Sequence, residues 1–240
     1  MDNRNIISYS TIIPLRNICR IIAKIKAQQI EPLPHFSHEA LFFQNNAITT
    51  GLLNNTKEAK IDLFSGIFLY FNNEDTIKID LTSENVKDIN NFFKFNFGIT
   101  LNKEITNLNN EELKNYFNFI SKANLSLEIF RMRLNKKFTF VHLWPHGFDL
   151  SVEWFTGLAD QQVGVGISPG EENIVLPYLY VNPYPFNPKI KEQKLPLGEW
   201  YDKSWKGIKV DWNEVSYKNE KEVADIITEL FKISYRNFTK

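Results

Sequence analysis

Four stretches of the chain carry apolar residues at helical spacing. Over Thr11–Gln29, Leu15, Ile18, Ile22 and Ile25 recur every three or four positions, as one buried helix face requires. A second helix is predicted over Glu84–Phe95, capped by Thr82 or Ser83, with acidic residues in its first turn. The longest, Glu111–Leu134, follows a capping Asn109 or Asn110. Its seam is Leu113, Tyr116, Phe117, Ile120, Leu127, Phe130 and Leu134. The last, Asn219–Arg236, is seamed by Val223, Ile226, Ile227, Leu230 and Phe231. Between these helices the period drops to two. His35–Gln44, Ala47–Leu53, Lys60–Phe64, Gly66–Phe71 and Thr76–Leu81 read as strands split by short turns. Such short loops produce an antiparallel meander. In the first strand, Phe36, His38, Ala40 and Phe42 would share a face.

The clearest period-two signal is Phe138–Gly157. In Phe138–Trp144, Thr139, Val141 and Leu143 alternate with Phe138, Phe140, His142 and Trp144. In Gly147–Phe155, Phe148, Leu150, Val152 and Trp154 share one face, and Asp149, Ser151 and Glu153 the other. Trp144-Pro145-His146-Gly147 is a turn sequence. A two-residue loop would set Leu143 opposite Phe148, Val141 opposite Leu150 and Thr139 opposite Val152, all in the core. The same register places His142 opposite Asp149, and Phe138 opposite Glu153. Beyond the hairpin, Leu158–Glu172 holds three glycines and reads as loop with at most a short strand. Ile174–Val181 contains Pro177 and reads as an edge strand. Asn182–Leu197 is punctuated by prolines, and Trp200–Val210 reads as irregular. The whole is an α+β fold of about six to nine mostly antiparallel strands and about four helices. It is expected to form a single domain over 1–240, with residues 1–10 disordered.

Composition narrows the class. Twenty-eight acidic residues balance 28 basic ones in 240 residues, so no charge excess asks for nucleic acid. One cysteine, Cys19, excludes an internal disulfide. The N-terminus has no apolar signal-peptide core, and no apolar run has membrane-spanning length. These features lead to the expectation of a soluble, cytoplasmic protein. Arg16, Arg20 and Lys24 form a stripe at i, i+4, i+8 on the first helix. It is either a solvated face or an anion- or membrane-binding one.

The candidate chemistry gathers on the hairpin. A carboxylate beside an imidazole fixes one ring nitrogen and makes the other more basic. His142 and Asp149 are therefore the candidate catalytic pair, or a structural pair. His35 and His38 are candidate ligand-binding residues. With His142 and Asp149 they have the atoms to bind a metal, though which metal, or any cofactor, the sequence leaves unknown. Arg131 and Arg133 either grip a phosphate or carboxylate, or cap a helix end. Asp149 and Glu153 share a strand face and suggest a carboxylate pair for glycoside chemistry, or two solvated side chains. Ser151 lacks a nucleophile elbow, and the spaced glycines from Gly164 to Gly170 match no nucleotide motif.

Phe130-Arg131-Met132-Arg133, Val141-His142 and Phe148-Asp149-Leu150 together resemble the signature of an uncharacterised bacterial family, a domain of unknown function. That signature runs F-R-x-R, then V-H-F-F-W-G-S-F-D-L-A. His35-Phe36-Ser37-His38 is similar to the family's H-W-W-H element, with both tryptophans changed. Pro177-Tyr178-Leu179-Tyr180 resembles its late tyrosine-rich segment. Pro145-His146-Gly147 departs from W-G-S. The resemblance implies a common fold and a common site, and no activity.

Two functional classes remain. In one, the protein is an enzyme or small-ligand binder with a pocket on the His142/Asp149 face, walled by Phe138, Phe140, Trp144 and the Tyr178–Pro185 segment, whose Tyr180 is a candidate ligand-binding residue. In the other, it is a non-catalytic interaction module whose His–Asp pair is structural.

Overall fold

The computed structural model describes residues 7–73, 75–100, 107–134, 138–158 and 160–238. Four helices and two antiparallel sheets make an α+β fold. The chain divides into two compact units. One is Met1–Ser121 with Leu143–Phe148; the other is Lys122–His142 with Asp149–Lys240.

In the first unit, α1 (Tyr9–Ala27) buries Leu15, Ile18, Cys19, Ile22 and Ile25 and packs on β3 (Lys57–Asp62). Burial pushes the Cys19 thiol well above its ordinary pKa, which leaves it an unreactive core residue. Lys26, on the same helix, is also buried. Its amine donates to the carbonyls of Ala40 at 2.5 Å and Ser37 at 3.3 Å, and burial lowers its pKa to about 8. The remaining strands are β1 (Phe42–Gln44), β2 (Ala47–Thr49), β4 (Ile67–Asn72) and β5 (Asp75–Asp80). They form a meander in the order β1-β2-β3-β4-β5. Helix α2 (Val86–Phe97) is capped by Asn85 rather than Thr82 or Ser83; Asn85 accepts the Asp88 N–H at 3.0 Å. Phe93 of α2 meets Phe68 of β4 edge-on, with ring centroids 5.1 Å apart.

The expected strand over His35–Gln44 survives only as β1. Residues 34–36 form a 3-10 turn. His35 takes φ 54° and Phe36 φ 56°, left-handed values that break an extended path. Side chains close the turn: His38 Nδ1 accepts the Leu33 N–H at 3.1 Å, and Ser37 donates to the Pro34 carbonyl.

Helix α3 (Asn110–Arg133) starts in the first unit and ends in the second. Asn109 caps it by accepting the Glu111 N–H at 2.8 Å. The second sheet comprises β6 (His142–Trp144), β7 (Asp149–Phe155), β8 (Gln162–Ser168), β9 (Tyr178–Tyr184), β10 (Glu199–Asp202) and β11 (Lys206–Asp211). Their order is β10-β11-β9-β8-β7-β6. Helix α4 (Glu220–Tyr235) packs on β8 and β9. Its Val223, Ile227, Leu230 and Phe231 are buried, as are Val152, Val163, Val165, Leu179 and Val181.

Three readings of this sheet are corrected. The glycine-rich stretch is not loop but the interior strand β8. Val163, Val165 and Ile167 supply its core face, and the glycines fall on the other. The proline-flanked stretch is not an edge either, because β9 lies between β8 and β11. Its Pro183 lacks an N–H, but the register with β11 stops at Val181, so the deficit breaks no bond on that flank. The stretch read as irregular over Trp200–Val210 is the β10–β11 hairpin, with Trp200 opposite Ile208.

The organising hairpin has the expected core but a shifted register. Val141, Leu143, Phe148, Leu150 and Val152 are buried; Thr139 is half-buried. Phe138 bridges Trp154, not Glu153, and the Thr139 N–H donates to the Glu153 carbonyl. The cause is a longer turn. Phe148 adopts φ 60° and its N–H closes on the Trp144 carbonyl at 2.6 Å, so more than two residues lie in the loop.

Candidate functional site

The polar face of the second sheet is built by strand alternation. Asp149, Ser151 and Glu153 lie on β7, opposite in sense to Leu150, Val152 and Trp154. The register with β8 pairs Ser151 with Gly166 and Glu153 with Gly164; the next register pairs Gly166 with Tyr180 and Gly164 with Asn182. Each layer across the three strands therefore has a glycine in the middle. Neither glycine can be replaced without a clash. A Cβ on Gly166 would lie 2.4 Å from Tyr180 Cζ and its hydroxyl oxygen. A Cβ on Gly164 would lie 2.7 Å from Asn182 Oδ1 and 3.0 Å from Glu153 Oε2. The missing side chains let Tyr180 reach over β8, where its hydroxyl donates to Asp149 Oδ2 at 2.5 Å. They also let Glu153 and Asn182 approach each other above Gly164.

Glu153 is the unusual group. Its Oε2 is buried and has no hydrogen-bond partner. Among the described residues no ion pair involves it. Burial, and then the charge of Asp149, push its pKa up to about 8, against a smaller pull from the Ser151 hydroxyl. At neutral pH the carboxyl keeps its proton and is a donor as well as an acceptor. Burial and the neighbouring Asp149 and Glu153 raise the Tyr180 hydroxyl well above its ordinary value, so it stays protonated too. Tyr178, at the start of β9, is raised by burial and by Glu171, with Ser168 pulling the other way. Glu171 Oε1 is a second buried, unpartnered carboxyl oxygen. Lys209, opposite Tyr180 on β11, is already held by Asp211 at 2.6 Å and Glu199 at 3.1 Å.

The residues nominated from sequence fall in several places. Asp149 and Tyr180 meet. His142 is 8% exposed at the start of β6. His35 and His38 belong to the first unit, where His35 is exposed and His38 serves the turn at Leu33. Trp144 is half-buried, its ring 5.9 Å from that of His146. Arg131 pairs with Glu128 at 2.7 Å and lies over the ring of Phe140, 5.4 Å from its centroid. Arg133 pairs with Asp225 of α4 at 2.5 Å. Both arginines are thus engaged within the chain. Among the described residues, no three His, Cys, Asp or Glu side chains gather as a metal ion would require.

Sequence reasoning found Asp149, Glu153 and Tyr180 but missed Asn182, Gly164 and Gly166. The signal was present: Val163-Gly164-Val165-Gly166-Ile167 alternates apolar and small, which is a strand with one vacated face. No family model matches the chain, and neither a curated protein nor a solved structure matches it.

Proposed function

We propose that this chain binds a small, polar, neutral or cationic molecule on the Asp149–Glu153–Tyr180 face. The observation that carries this reading is the buried, unpartnered Glu153 Oε2, packed over the side-chain-free face of Gly164. Buried polar atoms are nearly always hydrogen-bonded, so an orphan carboxyl oxygen is accounted for by a ligand that supplies the partner. The face is rich in carboxyl and phenol groups, and its lysine, Lys209, is already paired, which disfavours an anionic ligand. If the bound molecule is a substrate, protonated Glu153 is the group placed to give or take a proton, and Asp149 the carboxylate that orients Tyr180. The reading takes up the common site that the family resemblance implies, since Asp149 stands in the Phe148-Asp149-Leu150 element.

The test is a thermal-shift screen of amines and polyols on wild type, Glu153→Gln and Tyr180→Phe. A ligand should raise the melting temperature of wild type and lose most of that effect in Glu153→Gln, with the variant still folded. A ligand response identical in both proteins removes Glu153 from the site.

A second reading has its own observation. Phe140 is 67% exposed beneath Arg131, and an exposed aromatic under a cation suits a protein interface. Phe140→Ala should then abolish self-association or partner capture without altering the ligand screen.

A further inference from the structure

Two of the three cations in the basic stripe of α1, Arg16 and Arg20, are tied back to the Pro145–His146 turn. Arg16 and Arg20 are one helical turn apart and share a face. Arg20 Nε donates to the Pro145 carbonyl at 3.3 Å, and its Nη2 to the His146 carbonyl at 3.3 Å. Arg16 Nη2 donates to that same His146 oxygen, and its Nη1 to the Tyr9 hydroxyl at 3.0 Å. One carbonyl oxygen thus draws two guanidinium groups together. The groups they touch are neutral: two backbone carbonyls and a phenol. Among the described residues neither arginine has a carboxylate partner.

Two further observations mark the pair as incomplete. Arg16 Nε is buried and unpartnered. Burial and the charge of Arg16 lower the pKa of Arg20, so the two cations repel with nothing anionic between them. Surface stripes that are only solvated avoid this arrangement by pointing apart. Here the turn carbonyls hold both forks together, with N–H donors left over on each. Planar forks of this kind match tetrahedral and carboxylate oxyanions. A single carboxylate satisfies one fork; two convergent forks suit a dianion.

We propose that Arg16 and Arg20, fixed by the Pro145–His146 turn, form a binding site for a phosphate group of a small soluble molecule. The site is separate in its residues and in its charge preference from the Glu153 face. Inorganic phosphate is the probe. Titrated at constant ionic strength against sodium chloride, it should raise the melting temperature of wild type and broaden its own phosphorus resonance. Arg20→Gln, at an exposed position, should weaken phosphate binding by about tenfold or more, in line with the loss of charge-assisted bonds. Lys24→Gln, one turn further on, should bind as wild type does.

Equal responses to phosphate and chloride would overturn the site. So would an Arg20→Gln variant that binds phosphate as wild type does. If that variant fails to fold, the resonance broadening on wild type and on Arg20→Lys decides, with no broadening on wild type counting against the proposal. Sedimentation with phosphatidylserine vesicles, in the absence of any response to soluble phosphate, would assign the arginines to a lipid surface and also overturn it.

Discussion

Glu58 and Glu153 hold similar places in two different sheets and have opposite fates. Each sits within a strand on the face away from that strand's buried apolar residues, Ala59 and Ile61 in one case, Val152 and Trp154 in the other. Glu58 is fully partnered. It accepts from the Thr49 hydroxyl at 2.6 Å and from the Lys60 ammonium at 3.2 Å. Glu153 has a glycine as its cross-strand neighbour, an orphan oxygen and, among the described residues, no cation in an ion pair with it. An alternating strand pattern therefore does not say what its polar face is for. The neighbours decide it: a threonine and a lysine make Glu58 part of the sheet, whereas Gly164 and Asp149 leave Glu153 buried and protonated.

The sharpest way to break this contrast is Glu153→Gln across pH. In the fold the carboxyl holds its proton up to about pH 8, against an ordinary value of 4.5. Between those values the folded chain binds more protons than the unfolded one, so stability falls as pH rises through the window. It is fully present below about 4.5 and lost above about 8. Glutamine has no proton to lose. The variant should match wild type at acid pH and exceed it at pH 9 by on the order of 3–5 kcal/mol. Urea melts at both pH values measure this. Parallel curves for the two proteins would mean that Glu153 ionises as an ordinary carboxylate does.

How much of this was legible in the sequence follows from how local each signal is. All four helices were readable within a few residues, because caps such as Asn109 and seams such as Leu113–Tyr116–Ile120 lie within one or two turns. The hairpin core was readable for the same reason: Val141, Leu150 and Val152 declare a face by alternation alone. The hairpin register was not, because it depends on a left-handed Phe148, and phenylalanine gives no warning of positive φ. Strand β8 was missed because glycine suggests loop wherever its purpose is to make room. That purpose depends on Tyr180 and Asn182, on a strand more than ten residues further along. The site was half legible: Asp149, Glu153 and Tyr180 carry chemistry on their face, while their convergence over the glycines of β8 is a tertiary fact.

The next prediction concerns the underside of β7. Leu150 is 2% exposed and adjoins Asp149 along the strand. Leu150→Ala should cost about 3 kcal/mol, as large-to-small changes in a packed core do, at any pH between 5 and 9. A cost that varied with pH would mean that the core and polar faces of this strand are not separable.

Gly166→Ala should cost less, about 2 kcal/mol, in the range of overpacking. The added methyl would sit 2.4 Å from the Tyr180 hydroxyl end, so the ring must lift and its bond to Asp149 must lengthen. In a Tyr180→Ala background the same change should cost under half as much, since the atom it collides with is gone. Chemical melts of the two single variants and the double variant give the coupling. Additive costs would show that Gly166 is needed for the strand itself and not for the tyrosine above it.

The smallest effect is expected at the other end of the comparison. Glu58→Gln removes one charge from a partly exposed pair, whose side chains are 20% and 28% exposed. Such pairs contribute up to about 1 kcal/mol, less in salt. The Thr49 hydroxyl can still donate to the amide oxygen of glutamine, so that bond is kept. The loss should be about 0.5 kcal/mol at neutral pH and should shrink further in high salt. The sign is the informative part: Glu58→Gln should destabilise where Glu153→Gln stabilises. Melting both variants in low and high salt at pH 9 places them on one scale. If Glu58→Gln stabilised the protein as much as Glu153→Gln, the two glutamates would be equivalent, and the glycine neighbour would explain nothing about Glu153.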